Sequence, residues 1–297
     1  MKTGIVIKSY SSFYYVKDNE SDQVIECRLR GRFKKKGKEA IPGDKVRYEI
    51  LEETSGVIEE ILPRETLLTR PLVANVKQVI ITFAAKNPDF HSKLLDQFLI
   101  KAEAAEMDII ICMNKIDLLD DPEDAKDILK LYEDIGYRVI YCSAETGQGI
   151  EELSEVLKDQ LSVFAGASGV GKSALLNAVQ PGLQLKTGEL SKKIKRGRHT
   201  TRYVELLQLD EGGMVADTPG FSFFQLGFIS SRELAYLFPE MIDYIGRCRF
   251  HNCTHDHEPG CTIKAMVEEG QIPENRYKNY VTFLHEIQEK EEEERRY

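Results

Sequence analysis

The sequence predicts a multidomain α/β protein in three parts: an N-terminal β-barrel, a central domain built on a mostly parallel sheet, and a C-terminal, mostly helical module. Three observations carry this expectation. Short β segments fill the first 65 or so residues, buried strands alternate with amphipathic helices from Val76 onward, and after Phe224 the pattern turns helical around a crowded set of cysteines and histidines. The 297 residues suit two domains of about 150 residues, or three if one is small. The expected boundaries are 1–66, 67–226 and 227–297.

The barrel segments are GIVIKSY, FYYVKD, VIECRLRGRF, KVRYEIL and GVIEEIL, separated by polar, Gly- or Pro-bearing turns such as Asp18-Asn19 and Ile41-Pro42-Gly43-Asp44. Five strands in this length predict an OB-fold, a barrel that binds nucleic acid on one face, with an SH3-like barrel as the structural alternative.

In the central part, Val76–Ala84 and Asp108–Met113 are β-rich apolar runs, and Leu94, Leu95, Phe98, Leu99 and Ala102 recur between them at helical spacing. Asp121 as cap, Pro122 at the first helical position and Gly136 as terminator predict a second helix. A strand (Arg138–Cys142), a helix (Ile150–Lys158), a strand (Leu161–Ala165) and a helix (Lys172–Val179) follow. A hairpin, Tyr203–Leu209 with Met214–Ala216, is turned by Asp210-Glu211-Gly212-Gly213. In the last part, Ser230 and Glu233 have capping-box spacing, and Tyr277, Tyr280, Val281, Leu284 and Ile287 mark a final helix whose acidic end, KEEEERR, is expected to fray.

A hydrophobic content of 42% and a charged content of 30% exclude a chain too polar to pack. No apolar run approaches the roughly 18 residues that a membrane helix needs, and the start MKTGIVIKSYSS lacks the apolar stretch of a signal peptide; the expectation is a cytoplasmic, monomeric protein without membrane contact. The net charge of −9 argues against a non-specific nucleic-acid coat, yet two basic islands stand on this acidic body. Nine Lys/Arg between Arg28 and Arg47 face only Glu39 and Asp44, and seven between Lys186 and Arg202 face only Glu189.

The segment Gly166-Ala167-Ser168-Gly169-Val170-Gly171-Lys172-Ser173 fits GxxxxGK[ST] and lies between a strand and a helix, as a phosphate-binding loop requires. Its backbone N–H groups wrap a phosphate, Lys172 neutralises β/γ oxygens and Ser173 ligates Mg²⁺. Asn114-Lys115-Ile116-Asp117, after a strand, resembles the guanine-recognition motif of GTPases. The Asp117 carboxylate accepts from guanine N1–H and its exocyclic amine, a donor pair adenine does not present, so ATP would leave a polar group unpaired. Ser143-Ala144 after the next strand resemble the short motif that supports the base, and Asp217-Thr218-Pro219-Gly220 resembles the DxxG element, with Asp217 on Mg²⁺ through water and the Gly220 amide at the γ-phosphate. Thr200 or Thr201 would complete the Mg²⁺ shell. Phe221 stands where many GTPases carry a water-positioning Gln, which predicts slow intrinsic turnover accelerated by a large partner. His199 is the candidate for positioning water, with a flanking role against RNA phosphate as its alternative.

The guanine motif precedes the phosphate loop, the reverse of the ordinary order, so the domain is circularly permuted. Its switch segment after Gly220 then runs directly into the C-terminal module.

Cys27, Cys112 and Cys142 lie singly in predicted strands and read as reduced core residues. Cys248, Cys253 and Cys261 crowd together with His251, His255 and His257; three thiolates and one imidazole form a closed shell for one structural Zn²⁺, with His255 favoured as fourth ligand and His257 or His251 as alternatives.

With barrel, permuted GTPase and Cys/His module in that order, the sequence resembles the bacterial ribosome small-subunit-dependent GTPase A family, on NKID at 114–117, GASGVGKS at 166–173, RGRHTT at 196–201, DTPG at 217–220 and Cys248, Cys253, His255 and Cys261. The resemblance spans nearly the whole chain. It implies binding of GTP and GDP, contact with 16S rRNA through the barrel and the zinc module, action late in 30S maturation, and hydrolysis stimulated by the small subunit. The rival expectations are a permuted GTPase of large-subunit assembly and a zinc-stabilised RNA-binding module that holds nucleotide without turning it over.

Overall fold

A computed structural model describes residues 1–31, 39–52, 54–69, 71–121, 123–183, 204–217 and 229–296. Five strands, β1 (Lys2–Tyr10), β2 (Phe13–Asp18), β3 (Val24–Leu29), β4 (Lys45–Glu52) and β5 (Ser55–Ile61), pair in the cycle β1-β2-β3-β5-β4-β1. Only the β3–β5 pair is parallel, and β4 closes on β1 through Lys2↔Tyr48 to Ile5↔Lys45. This is the OB-type closed barrel. Alternation of the strands sends Val6, Tyr14, Val16, Ile25, Cys27, Val46, Tyr48 and Ile58 inward as its core.

A short hairpin, β6 (Leu67–Thr69) and β7 (Leu72–Ala74), joins the barrel to the central domain and was not legible in the sequence. It is clamped to the barrel loop 40–44. The buried Asp44 carboxylate accepts from Arg64 Nε at 2.7 Å and from the Ile41 amide at 2.8 Å, and Asn75 Nδ2 donates to the Gly43 carbonyl at 2.8 Å.

The central sheet runs β10-β9-β8-β11-β13-β12, where β8 is Gln78–Ala84, β9 Asp108–Asn114, β10 Arg138–Tyr141, β11 Leu161–Ala165, β12 Glu205–Gln208 and β13 Met214–Asp217. All are parallel except β12, the antiparallel hairpin partner of β13. Helices α1 (Ser92–Ala104), α2 (Asp124–Ile135), α3 (Ile150–Leu157) and α4 (Lys172–Val179) cover its two faces. Helix α2 starts at Asp124, because the Asp121 carboxylate and carbonyl accept from the amides of Glu123 and Asp124 in a preceding turn instead of capping the helix directly.

The C-terminal module contains α5 (Pro239–Ile242), α6 (Thr262–Glu268) and α7 (Glu274–Arg295). Ser230 and Glu233 do pair, with Glu233 Oε2 accepting from the Ser230 amide at 3.1 Å, but they open a 3₁₀ turn at Leu234–Leu237 and no α-helix. The acidic tail expected to fray is helical to Arg295.

The module docks on α1 through a buried ionic cluster. Arg276, fully buried on α7, donates to Asp96 Oδ1 of α1 at 2.6 Å and to Glu240 Oε1 of α5 at 2.7 Å, and its guanidinium stacks over Phe238 at 4.6 Å. Asp96 also accepts from Tyr132 of α2 at 2.8 Å and from Asn279 of α7 at 2.6 Å. Ile100 of α1 belongs to the module's core, so α1 serves two cores at once.

Candidate nucleotide site and metal centre

Parallel pairing puts the carboxyl ends of β9, β10, β11 and β13 along one edge of the sheet, where ligands of such sheets gather. Asn114 ends β9 and Lys115–Asp117 follow it, Ser143–Ala144 follow β10 and Gly166–Ser173 follow β11. The backbone of Asp217 ends β13, one residue beyond the Val163↔Ala216 register with β11.

These segments are fastened to one another. Asn114 is buried; its Nδ2 donates to the Val170 carbonyl at 2.9 Å, while its Oδ1 accepts from the Ala144 amide at 3.2 Å. One side chain thus joins three of the predicted elements. Buried Ser143 donates to Asp117 Oδ1 at 2.5 Å and accepts from the Thr146 amide at 3.1 Å, which fixes one oxygen of the exposed Asp117 carboxylate. Lys115 Nζ donates to the Gly169 carbonyl at 2.7 Å and to the carbonyl of Asn87, so its stem spans the phosphate loop and the loop after β8. Asn87-Pro88 marks a turn in the sequence, but no motif there signals that bridge.

Two glycines are dictated by close approach. A Cβ on Gly166 would lie 2.1 Å from the Thr82 carbonyl, and one on Gly171 2.3 Å from Asn114 Nδ2, both at positive φ. The loop is therefore seated against β8 on one side and the Asn114 motif on the other. Lys172 Nζ donates to the carbonyls of Gly166 and Ala167, each at 2.8 Å, and burial lowers its pKa. Ala167 and Val170 shape the loop's flank, Ser168 and Gly169 are exposed at its tip, and Ser173 sits in the first turn of α4. The side chain of Val170 is buried. His199, Thr200, Thr201 and Gly220 lie outside the described residues, as do Pro122, Phe221, residues 32–38 of the first basic island and the whole of the second.

In the C-terminal module, Cys248, Cys253, His255 and Cys261 bring one ligand atom each to within 4.8 Å of one another. His255 Nδ1 is 3.5 Å from the sulfurs of Cys248 and Cys261, which are themselves 3.9 Å apart. A tetrahedron with Zn–S arms of about 2.3 Å and Zn–N arms of about 2.0 Å has edges near 3.5–3.8 Å, so the donor set fits Zn²⁺. Two tyrosine hydroxyls hold the backbone at the cluster: Tyr277 donates to the His255 carbonyl at 2.8 Å and Tyr280 to the Thr254 carbonyl at 2.6 Å. His255 is buried, and burial lowers its pKa, favouring the neutral imidazole that ligates. His251 and His257 are exposed; His257 faces Asp256 at 3.7 Å.

Residues 61–227 match the RsgA GTPase family and residues 3–58 the RsgA N-terminal domain. A Small ribosomal subunit biogenesis GTPase RsgA of Moorella thermoacetica is 49% identical over 284 residues, covering 96% of this chain and 97% of that protein. The protein of the same name from Caldanaerobacter subterraneus is 45% identical over 294 residues, covering 99% and 98%. Among solved structures, YjeQ from Thermotoga maritima superposes with a TM-score of 0.86 at 41% identity over 96% of this chain and 98% of that one. YloQ, described as a circularly permuted GTPase, gives 0.84 at 39% identity over 98% and 96%. The rearranged motif order, the closed barrel and the identity along the full length agree: this chain belongs to the RsgA GTPase family.

Proposed function

We propose that the chain binds GTP at the carboxyl edge of the central sheet and hydrolyses it in the maturation of the small ribosomal subunit. The observation that carries this is the Asn114 side chain, which holds the phosphate loop and the Ser143–Ala144 turn against the Asp117 motif as one pocket.

In this reading Asp117 accepts from guanine, with Lys115, Ser143 and Ala144 framing the base. The backbone of Gly166–Ser173 wraps the phosphates, and Lys172 exchanges its two carbonyl acceptors for phosphate oxygens without leaving the loop. Ser173, one of Thr200 and Thr201, and Asp217 would hold Mg²⁺, which neutralises charge developing on the β/γ oxygens. Water, positioned by His199, attacks the γ-phosphorus as the bond to the bridging oxygen breaks, leaving GDP and phosphate, and the Gly220 amide reports the γ-phosphate to the chain beyond it. Cys248, Cys253, His255 and Cys261 would hold a structural Zn²⁺ with no position left for water.

The same proposal divides the chain into a barrel at 1–66, a GTPase domain at 67–226 and a zinc module at 227–297, acting as a cytoplasmic monomer. Among the described residues no helix is long and apolar enough to cross a membrane. Barrel and zinc module grip 16S rRNA, the two basic islands meeting its backbone. A displacement assay tests the pocket: bound fluorescent GDP should be released by GTP and not by ATP. Equal displacement by ATP would overturn the assignment of Asp117. Phosphate release by His199→Ala with small subunits present tests the water-positioning role, and a wild-type rate would remove His199 from it.

A further inference from the structure

Strand β1 is shared between the barrel and the central sheet. Its first part, Lys2–Ile5, closes the barrel on β4, whereas Lys8 pairs with Glu205 of β12. The β1–β2 ladder shifts register between Val6 and Lys8, where the strand passes from one partner to the other. The side chains divide accordingly: Val6 lies in the barrel core, while Ile5 and Ile7 pack against the core of the central domain.

Two contacts reinforce this seam. Lys8 Nζ lies 3.2 Å from Glu205 Oε1, and Lys17 of β2 donates to Gln208 at the far end of β12. Strand β12 also occupies a particular place in the chain, beginning four residues after Thr201 and turning through a hairpin into β13, which ends at Asp217. Both flanks of the hairpin are therefore segments that the GTP reading makes responsive to the γ-phosphate. A strand tied by backbone pairing and by Ile5 and Ile7 does not shift without carrying β1, and β1 is a wall of the barrel.

We propose that the β1–β12 seam, with Lys8 and Glu205 as positioning residues, transmits the nucleotide state to the barrel, so that the barrel meets the small subunit differently in the GTP and GDP forms. This inference rests on the function proposed above. The test compares full-length wild type, Lys8→Glu, Glu205→Lys and the double charge swap. For each, affinity for isolated small subunits is measured with a non-hydrolysable GTP analogue and with GDP, and turnover is measured without subunits. The two side chains are 37% and 27% exposed, so a reversed charge stays hydrated and the fold is retained.

Each single reversal should narrow the preference for the GTP form about three- to fivefold, the scale of placing like charges across a strand pair, with subunit-free turnover unchanged. The double swap should restore the preference, which loss of a general RNA contact by Lys8 would not allow. Single variants with the wild-type preference, or a double variant without recovery, would overturn the inference. A wild type stimulated by small subunits but indifferent to nucleotide state would overturn it too. Absence of stimulation in the wild type would instead refute the function on which it rests.

Discussion

Arg276→Met removes the cation at the junction of the C-terminal module and α1 while keeping most of its volume. It leaves Asp96 and Glu240 buried and facing a thioether. Asp96 retains its hydrogen bonds from Tyr132 and Asn279, whereas Glu240 loses both donors that the guanidinium gave it, at 2.7 and 3.1 Å. Breaking a buried pair in this way costs about 3–5 kcal/mol, against a total stability of about 5–15 kcal/mol. At about 2 °C per kcal/mol for a chain of this size, thermal unfolding should move down by about 6–10 °C. Because α1 contributes to both cores, the loss should appear in the C-terminal module and the central domain together, read by calorimetry and by amide exchange of α7 and α1. The triple variant Arg276→Met, Asp96→Asn, Glu240→Gln should recover more than half of the loss, since no uncompensated charge remains. A shift below about 2 °C in Arg276→Met, or a triple variant no better than the single, would refute the reasoning.

Asp117→Asn should weaken GTP binding about 100-fold, the scale of losing charge-assisted hydrogen bonds to two guanine donors, while weak ATP binding stays unchanged; calorimetric titration checks both. Cys261→Ala should lose the one zinc per chain counted by elemental analysis, His251→Ala and His257→Ala should keep it, and zinc loss should raise exchange in the C-terminal module more than around Gly166–Ser173. Hydrogen bonding from Tyr48, together with the Glu20 amide and Lys2, holds the Asp18 carboxyl down at about 2 despite burial. A carboxyl lowered on folding stabilises above its ordinary range near 4 and loses that contribution as pH falls to about 2, so Asp18→Asn should weaken the barrel at pH 7 and match wild type near pH 2. Small-subunit affinity should fall steeply between 50 and 200 mM salt, roughly 10³-fold for six phosphate contacts, and a flat dependence would refute RNA gripping by the basic islands.

The barrel strands and the parallel sheet were legible because their signals are periodic: alternation for Val6, Tyr14, Val16 and Ile25, and apolar runs for β8, β9 and β11. The phosphate-loop motif stands out in the sequence because close backbone approach constrains residue type, as at Gly166 and Gly171, and the structure gathers His255, and not His251 or His257, with the three cysteines. What escaped depends on contacts far apart in the chain. The hairpin β6–β7 spans only three residues a side, too short for a period, and is held by Asn75 and Arg64 reaching back to 40–44. Arg276 reads as a surface charge, although it lies on the buried stripe with Tyr280, Phe283 and Ile287, and Asp96 lies likewise beside Leu95, Phe98 and Leu99. An ion on an apolar stripe in each of two helices was the available signal. The acidic tail looked solvated along its length, yet Glu291 accepts from the Ser231 amide at 2.8 Å and its hydroxyl at 2.9 Å, which holds the last turns of α7 against the module's entry.

The most direct measurement is GTP turnover by the purified chain with isolated small subunits, with large subunits and with neither. Acceleration by small subunits alone, absent when ATP replaces GTP, is the predicted result. Equal rates in the three conditions, or acceleration by the large subunit, would contradict the assignment of this pocket to small-subunit maturation.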